Sequence, residues 1–285
     1  MHFNFGWNAV QIIWTLTFAA LLVLLVVLLG RDRARRFPWF TASIVLITLE
    51  MLGKRLLLGR LPQLTLAEIF ITLADLVMLV GLLVVVEMAR RAFSGAKRSI
   101  WIVNSLGMLT VAGLVLAVWG PWPAWKTLTA NSHLAVLGLM QLAEIKGNLL
   151  VDVLTVELGL LVVIFGRRFK AGWRSHTQQI VIGLSTAASA HLVLQGTWQL
   201  IAMKAVAHSQ AEYDRILGLR DKLTYTNGSV YVAVLLWWIV CLWIDEPGAG
   251  VAVEAPVEIA AETGVVEAES EPAGAPMEEE QKSDL

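Results

Sequence analysis

Seven stretches of mostly apolar residues, at approximately 8–29, 39–58, 64–89, 100–119, 149–165, 179–203 and 226–244, dominate this chain. An α-helix rises about 1.5 Å per residue, so about twenty residues cross a hydrocarbon core roughly 30 Å thick. A spanning helix also bonds its own backbone, which lipid cannot do for it. Seven such runs leave little of the chain over for a water-soluble fold. Of the 285 residues 57% are hydrophobic, and mean hydropathy is +0.67. The expected fold class is all-α, a seven-transmembrane helix bundle over 1–245 with outer amphipathic helical connections and a disordered cytoplasmic tail over 246–285.

Charge orients the bundle. Arg31, Arg33, Arg35 and Arg36 follow the first span, Arg90, Arg91, Lys97 and Arg98 the third, and Arg167, Arg168, Lys170 and Arg174 the fifth. These short basic loops share one side. The positive-inside rule makes that side cytoplasmic, with the amino terminus outside and the carboxyl terminus inside. Trp39, Trp101 and Trp173 fall at inner boundaries, and Trp119, Trp122 and Trp125 at an outer one, as an interfacial belt requires. Residues 1–7 lack a basic n-region and no A-x-A-like site follows the first apolar run, so that span is expected to be retained. The single cysteine, Cys241, precludes an intrachain disulfide and reads as a small buried hydrophobe.

Two outer connections, 123–147 and 204–223, are too long for tight turns and have amphipathic character, which predicts helices lying on or projecting from the outer surface. Glu144, Asn148, Asp152 and Thr155 follow one another by four, four and three, so the fifth span is expected to extend outward with a polar stripe. From Asp245 onward the chain holds twelve acidic residues and one lysine, with four prolines among Ala, Gly and Val. That composition predicts disorder, and an acidic cytoplasmic tail is repelled by anionic lipid.

The chemistry-bearing residues lie deep in the spans. Counting from the basic boundaries, Glu157 is about 15 Å in, Glu50 about 18 Å, His191 about 20 Å, and Asp75 and Asp152 about 22 Å. Lys54 stands one turn from Glu50, and Gln195 and Gln199 continue the face of His191. A charge at that depth costs on the order of 3 kcal/mol, so such groups face a bundle interior or wet cavity and find partners. Four carboxylates against Lys54 do not balance; Arg55 and His191 are the further partners within reach. The candidate ligand- or ion-binding residues are therefore Glu50, Lys54, Asp75, Asp152, Glu157, His191 and Gln195. Glu87 reads as an interfacial ion pair with Arg90 and Arg91, and 183–190 as a small-residue stretch for close helix packing.

Several chemistries lack their residues. Only one histidine is deep, which excludes a bis-histidine haem; the last span has no lysine for retinal; H-E-x-x-H, G-x-S-x-G, Walker A and Rossmann glycine patterns are absent. Ser185 and His191 on one helix make a poor nucleophile and base pair. No cofactor, metal, catalytic residue or nucleic acid is called for. The expected partners are the lipid bilayer and a cytoplasmic protein met through the tail or inner loops.

Residues 33–40, RARRFPWF, and 87–93, EMARRAF, resemble a broad group of uncharacterised bacterial seven-span integral membrane proteins, mainly over the first three spans. The resemblance implies a seven-helix bundle in a bacterial cytoplasmic membrane and carries over no activity. Function is expected to be receptor-like or sensor-like, with a small molecule or ion bound at the polar midplane. The alternatives are a proton- or cation-coupled transporter or channel and, behind it, a membrane-embedded enzyme or assembly subunit.

Overall fold

Apolar runs of this length fold as helices, and helices are the only regular structure among the described residues, 9–94, 98–119, 122, 133–165, 175–204 and 209–245 of a computed structural model. They are α1 (Ala9–Gly30), α2 (Arg33–Arg36), α3 (Pro38–Leu57), α4 (Gln63–Ala92), α5 (Arg98–Val118), α6 (His133–Phe165), α7 (His176–Lys204) and α8 (Gln210–Trp243). Each of the seven expected spans falls on one long helix. Five of these, α1, α4, α6, α7 and α8, are long and apolar enough to cross a membrane. Helix α3 is 20 residues long and carries Glu50, Lys54 and Arg55 in its second half, and α5 is described with its side chains as an apolar helix over Val103–Val118.

The outer connections differ from a surface-lying helix. Residues 133–147 and 210–223 are the first turns of α6 and α8, which run unbroken for 33 and 34 residues. At that length each reaches about 50 Å, well beyond the hydrocarbon core. The start of α8 has a capping-box spacing, and Ser209 Oγ accepts from the backbone N–H of Glu212 at 3.3 Å. Lys97, the basic loop at 167–174, Trp125, residues 123–132 and the acidic tail lie outside the described residues, as does the side chain of Trp101.

Six helices close a ring: α1 packs on α3 and α8, α4 on α3 and α6, and α7 on α6 and α8. Helix α5 sits against α6 outside that ring. On four of the ring helices burial is confined to the half near the basic loops, while on α6 it reaches Leu149 and Lys146. On α3 no residue beyond Thr48 is buried, on α4 none before Val80, on α7 none after Ala188, and on α8 none before Val234. A tightly closed ring would bury inward side chains along its whole length, so the far half is open between its helices.

The closed end is tied in several places. Phe40 and Trp238 meet edge to face, 5.1 Å between centroids, and Trp238 lies so close over Gly183 that a β-carbon there would collide with the indole. Arg31 and Arg33 bridge to Asp245 at 3.3 and 2.8 Å. His176 Nε2 donates to the carbonyl of Ile244 at 2.9 Å. Cys241 is buried in this core as a free thiol.

Candidate functional site

The open half holds most of the ionisable residues singled out in the sequence, but it does not gather them into one centre. The first group joins α3, α4 and α6. Lys54 Nζ donates to Glu50 Oε1 at 2.5 Å, the pair expected from their one-turn spacing, and the ammonium lies 5.9 Å from the Phe70 ring on α4. Glu144 on α6 feels the charges of Asp75, Lys54 and Glu50. Asp75 Oδ1 is buried without a hydrogen-bond partner. Arg55 does not join the group; its guanidinium stacks on Trp14 of α1 at 5.9 Å. Three carboxylates and one lysine thus lie within electrostatic reach across α3, α4 and α6.

The second group joins α6 to α7. His191 Nδ1 and Asp152 Oδ2 are 2.6 Å apart, with the carboxylate mostly enclosed and the imidazole 43% exposed. The helices can hold this bond because they touch about two turns from the pair toward the closed end: Gly159 faces Ser185 closely enough that a β-carbon would strike it. Ser185 Oγ is occupied by the carbonyl of Ile182 at 3.0 Å, which leaves it no nucleophilic role with His191.

Glu157 belongs to neither group. Both of its carboxylate oxygens are buried without a partner. It stands eleven residues, about three full turns, from Lys146 and so shares its face of α6. Lys146 itself reaches α5: its ammonium donates to the carbonyls of Trp119 and Leu116 at the end of that helix and lies 4.4 Å from the Trp122 ring. Glu157 therefore lies on the Lys146 face of α6, turned away from Asp152 and its bond to His191. A buried unpaired carboxylate is a liability that an apolar side chain of like size relieves. Glu157→Met is expected to raise stability by about 1–3 kcal/mol. Thermal unfolding in detergent checks this; a destabilised variant would mean the carboxylate is held by a partner.

Two cavities border the His191 face. One, of about 630 Å³, lies between α5, α6 and α7 and is lined by Trp119, Trp122, Trp198, Gln141, Gln195 and Gln199, with Lys146 at its wall. The other, of about 220 Å³, lies between α7 and α8 and contains His191, Gln195, Trp198, Arg220 and Asn227. Gln195 and Trp198 line both. Arg220 stacks on Trp198 at 5.8 Å. The indole N–H of Trp119 is buried without an acceptor. Of the sequence candidates, only Gln195 and His191 line these cavities. Trp119 and Trp122 were legible merely as belt residues, because an interfacial position and a cavity wall put the same residue type at the same depth, and Trp198 was not singled out. Lys146 gave no signal, since its partners are carbonyls of another helix.

Among the described residues no group of three or more His, Cys, Asp or Glu could hold a metal ion. The helices and their exposed apolar faces define an all-helical, multipass membrane protein. Comparison with known protein families, curated proteins and solved structures returned no match.

Proposed function

We propose that the chain is a receptor-like or sensor-like seven-span bundle that binds a small, largely apolar molecule in its open half, with the amino terminus outside and the carboxyl terminus in the cytoplasm. The observation that carries this reading is the cleft of about 630 Å³ walled by Trp119, Trp122 and Trp198 and dotted with three glutamines. Its volume falls in the range of small-molecule sites, and its mix of apolar wall with few convergent polar groups is what such sites use. The unpartnered Trp119 N–H and the glutamine amides favour a ligand that accepts hydrogen bonds. Gln195 and Trp198 then connect occupancy of the cleft to the His191–Asp152 bond between α6 and α7. That bond is the element a ligand would bias.

Transport is the weaker reading on one specific observation. An ion path would need the acidic residues in sequence along one interior surface, whereas Asp152 is bonded to His191 of α7 and Glu157 is buried without a partner on the Lys146 face of α6. The seven-span count rests on α3 and α5 joining the five apolar helices. Their packing supports it, since α3 is in the ring and the end of α5 is bonded by Lys146 of α6.

The test is a thermal-shift screen of purified protein against a panel of small aromatic and aliphatic carbonyl compounds. A ligand at about 100 times its Kd should stabilise by about 2.7 kcal/mol, and Trp198→Ala should abolish the shift. In parallel, proteoliposomes loaded with a pH-sensitive dye should show no proton flux. Flux that disappears in Asp152→Asn, with no ligand found, would replace this reading with transport.

A further inference from the structure

Lys146 places an ammonium, 8% exposed, in the wall of the tryptophan cleft between α5, α6 and α7. We propose that the ligand of this cleft is an aliphatic monocarboxylic acid, with its carboxylate against Lys146 and its chain in the apolar cavity beside Trp119. This rests on the small-molecule reading of the same cleft and names its ligand class.

Charge is the first argument. Of the three donors of the lysine, two meet the carbonyls of Trp119 and Leu116, and the ammonium lies 4.4 Å from the Trp122 ring. All of these partners are neutral. The carbonyl end of a helix offers about half an elementary charge, so roughly half of the lysine charge stays uncompensated. Among the described residues no carboxylate pairs with Lys146 and none lines the cleft. Glu144, two residues earlier and about 200° round the helix, interacts instead with Asp75, Lys54 and Glu50. Glu157 shares the Lys146 face but stands roughly 16 Å along it. An enclosed charge in this state is costly, and an anion in the cleft would complete it.

Further donors suit a carboxylate. The indole N–H of Trp119 is buried without an acceptor, and Gln141, Gln195 and Gln199 line the cleft. A carboxylate only accepts, and its two oxygens have capacity for ammonium, indole and amide together.

Shape decides the rest of the molecule. Trp119 and Gln199 also line a neighbouring cavity of about 770 Å³ at the ends of α5 and α7, whose walls include Val118, Leu200 and Met203. Trp119 packs against Gly196, where a β-carbon would strike the ring, so the indole forms the edge shared by the two cavities. A charged head beside Lys146 thus leads to an apolar body over exposed aliphatic side chains. Acetate would satisfy the lysine and leave the second cavity idle, whereas an alkyl carboxylate matches both.

The experiment is titration of the full chain in an uncharged detergent, followed by tryptophan fluorescence, with decanoate, methyl decanoate, decylamine and acetate. Decanoate should bind about tenfold tighter than its ester, the usual contribution of a hydrogen bond to a charged group. Neither decylamine nor acetate, at equal concentration, should displace it. Lys146→Met should remove the preference for acid over ester. That ratio compares two ligands on one protein, so a general loss of stability does not imitate the effect, and the wild-type series tests the charge without any variant. Equal affinity for acid and ester, displacement by acetate, or a folded Lys146→Met protein with the wild-type ratio would each overturn the proposal. Tight binding of the ester alone would leave the cleft a site for neutral molecules. If neither ligand binds while another carbonyl compound does, the acid is excluded and the small-molecule reading stands; no binding throughout would remove both.

Discussion

Glu87→Ala is expected to destabilise the protein by about 3–5 kcal/mol, the cost of removing one partner from a buried charged network. Helix α3 begins Phe37-Pro38-Trp39-Phe40, with proline in its first turn and no Ser, Thr, Asp or Asn to cap it. Its first free amides are those of Trp39 and Phe40, and both donate to Glu87 Oε2 from another helix. The carboxylate, 6% exposed, also meets Arg91. Alanine would strand two amides and a guanidinium at the seam of α3 and α4. Because Phe40 meets Trp238 edge to face, the loss should spread to α8 and appear in near-ultraviolet circular dichroism as well as in the unfolding temperature. Glu87→Gln keeps an acceptor for the amides and should fall between. A Glu87→Ala protein that unfolds at the wild-type temperature would show that the cap contributes nothing.

Lys146→Met is expected to cost about 2–3 kcal/mol, the usual contribution of hydrogen bonds to a charged group in an enclosed site. The lysine is only 8% exposed. Its ammonium closes the carbonyl end of α5, where a helix carries its unsatisfied acceptors and the negative end of its dipole. Since α5 packs chiefly on α6, that bond is one of few holding it. Methionine keeps the apolar stem and removes only the donor, so the variant isolates the polar contribution. It should also weaken any ligand of the adjoining cleft, because Trp119 and Trp122 are positioned by the same contact. Unfolding temperature and ligand-induced shift, measured together, check both effects; an unchanged unfolding temperature would assign α5 docking to apolar packing alone.

Glu87 and Lys146 mark what a single sequence conceals. Glu87 was legible locally as an ion pair one turn from Arg90 and Arg91, and Lys146 gave no signal of its own within the 123–147 connection. Each in fact closes the end of another helix, and the separation of 48 positions between Glu87 and Trp39 carries no pattern that reveals it. The Glu50–Lys54 pair was legible because a one-turn spacing within one helix needs no tertiary information. Asp152 and His191 were found by depth alone, while their bond depends on the approach of α6 and α7 at Gly159 and Ser185.

The sequence by itself determined that the chain is helical and that apolar helices cross a membrane, because hydrocarbon thickness and backbone hydrogen bonding leave no other solution. It also determined which ionisable residues lie deep. Only the tertiary structure decided that α1, α3, α4, α6, α7 and α8 close a ring while α5 stays outside, that burial on α3, α4, α7 and α8 is confined to the half near the basic loops, and that Asp152 bonds across to α7 while Glu157 finds no partner. The physical reason is that depth along a helix is fixed by counting residues, whereas the direction a side chain faces acquires meaning only when a neighbour is packed there.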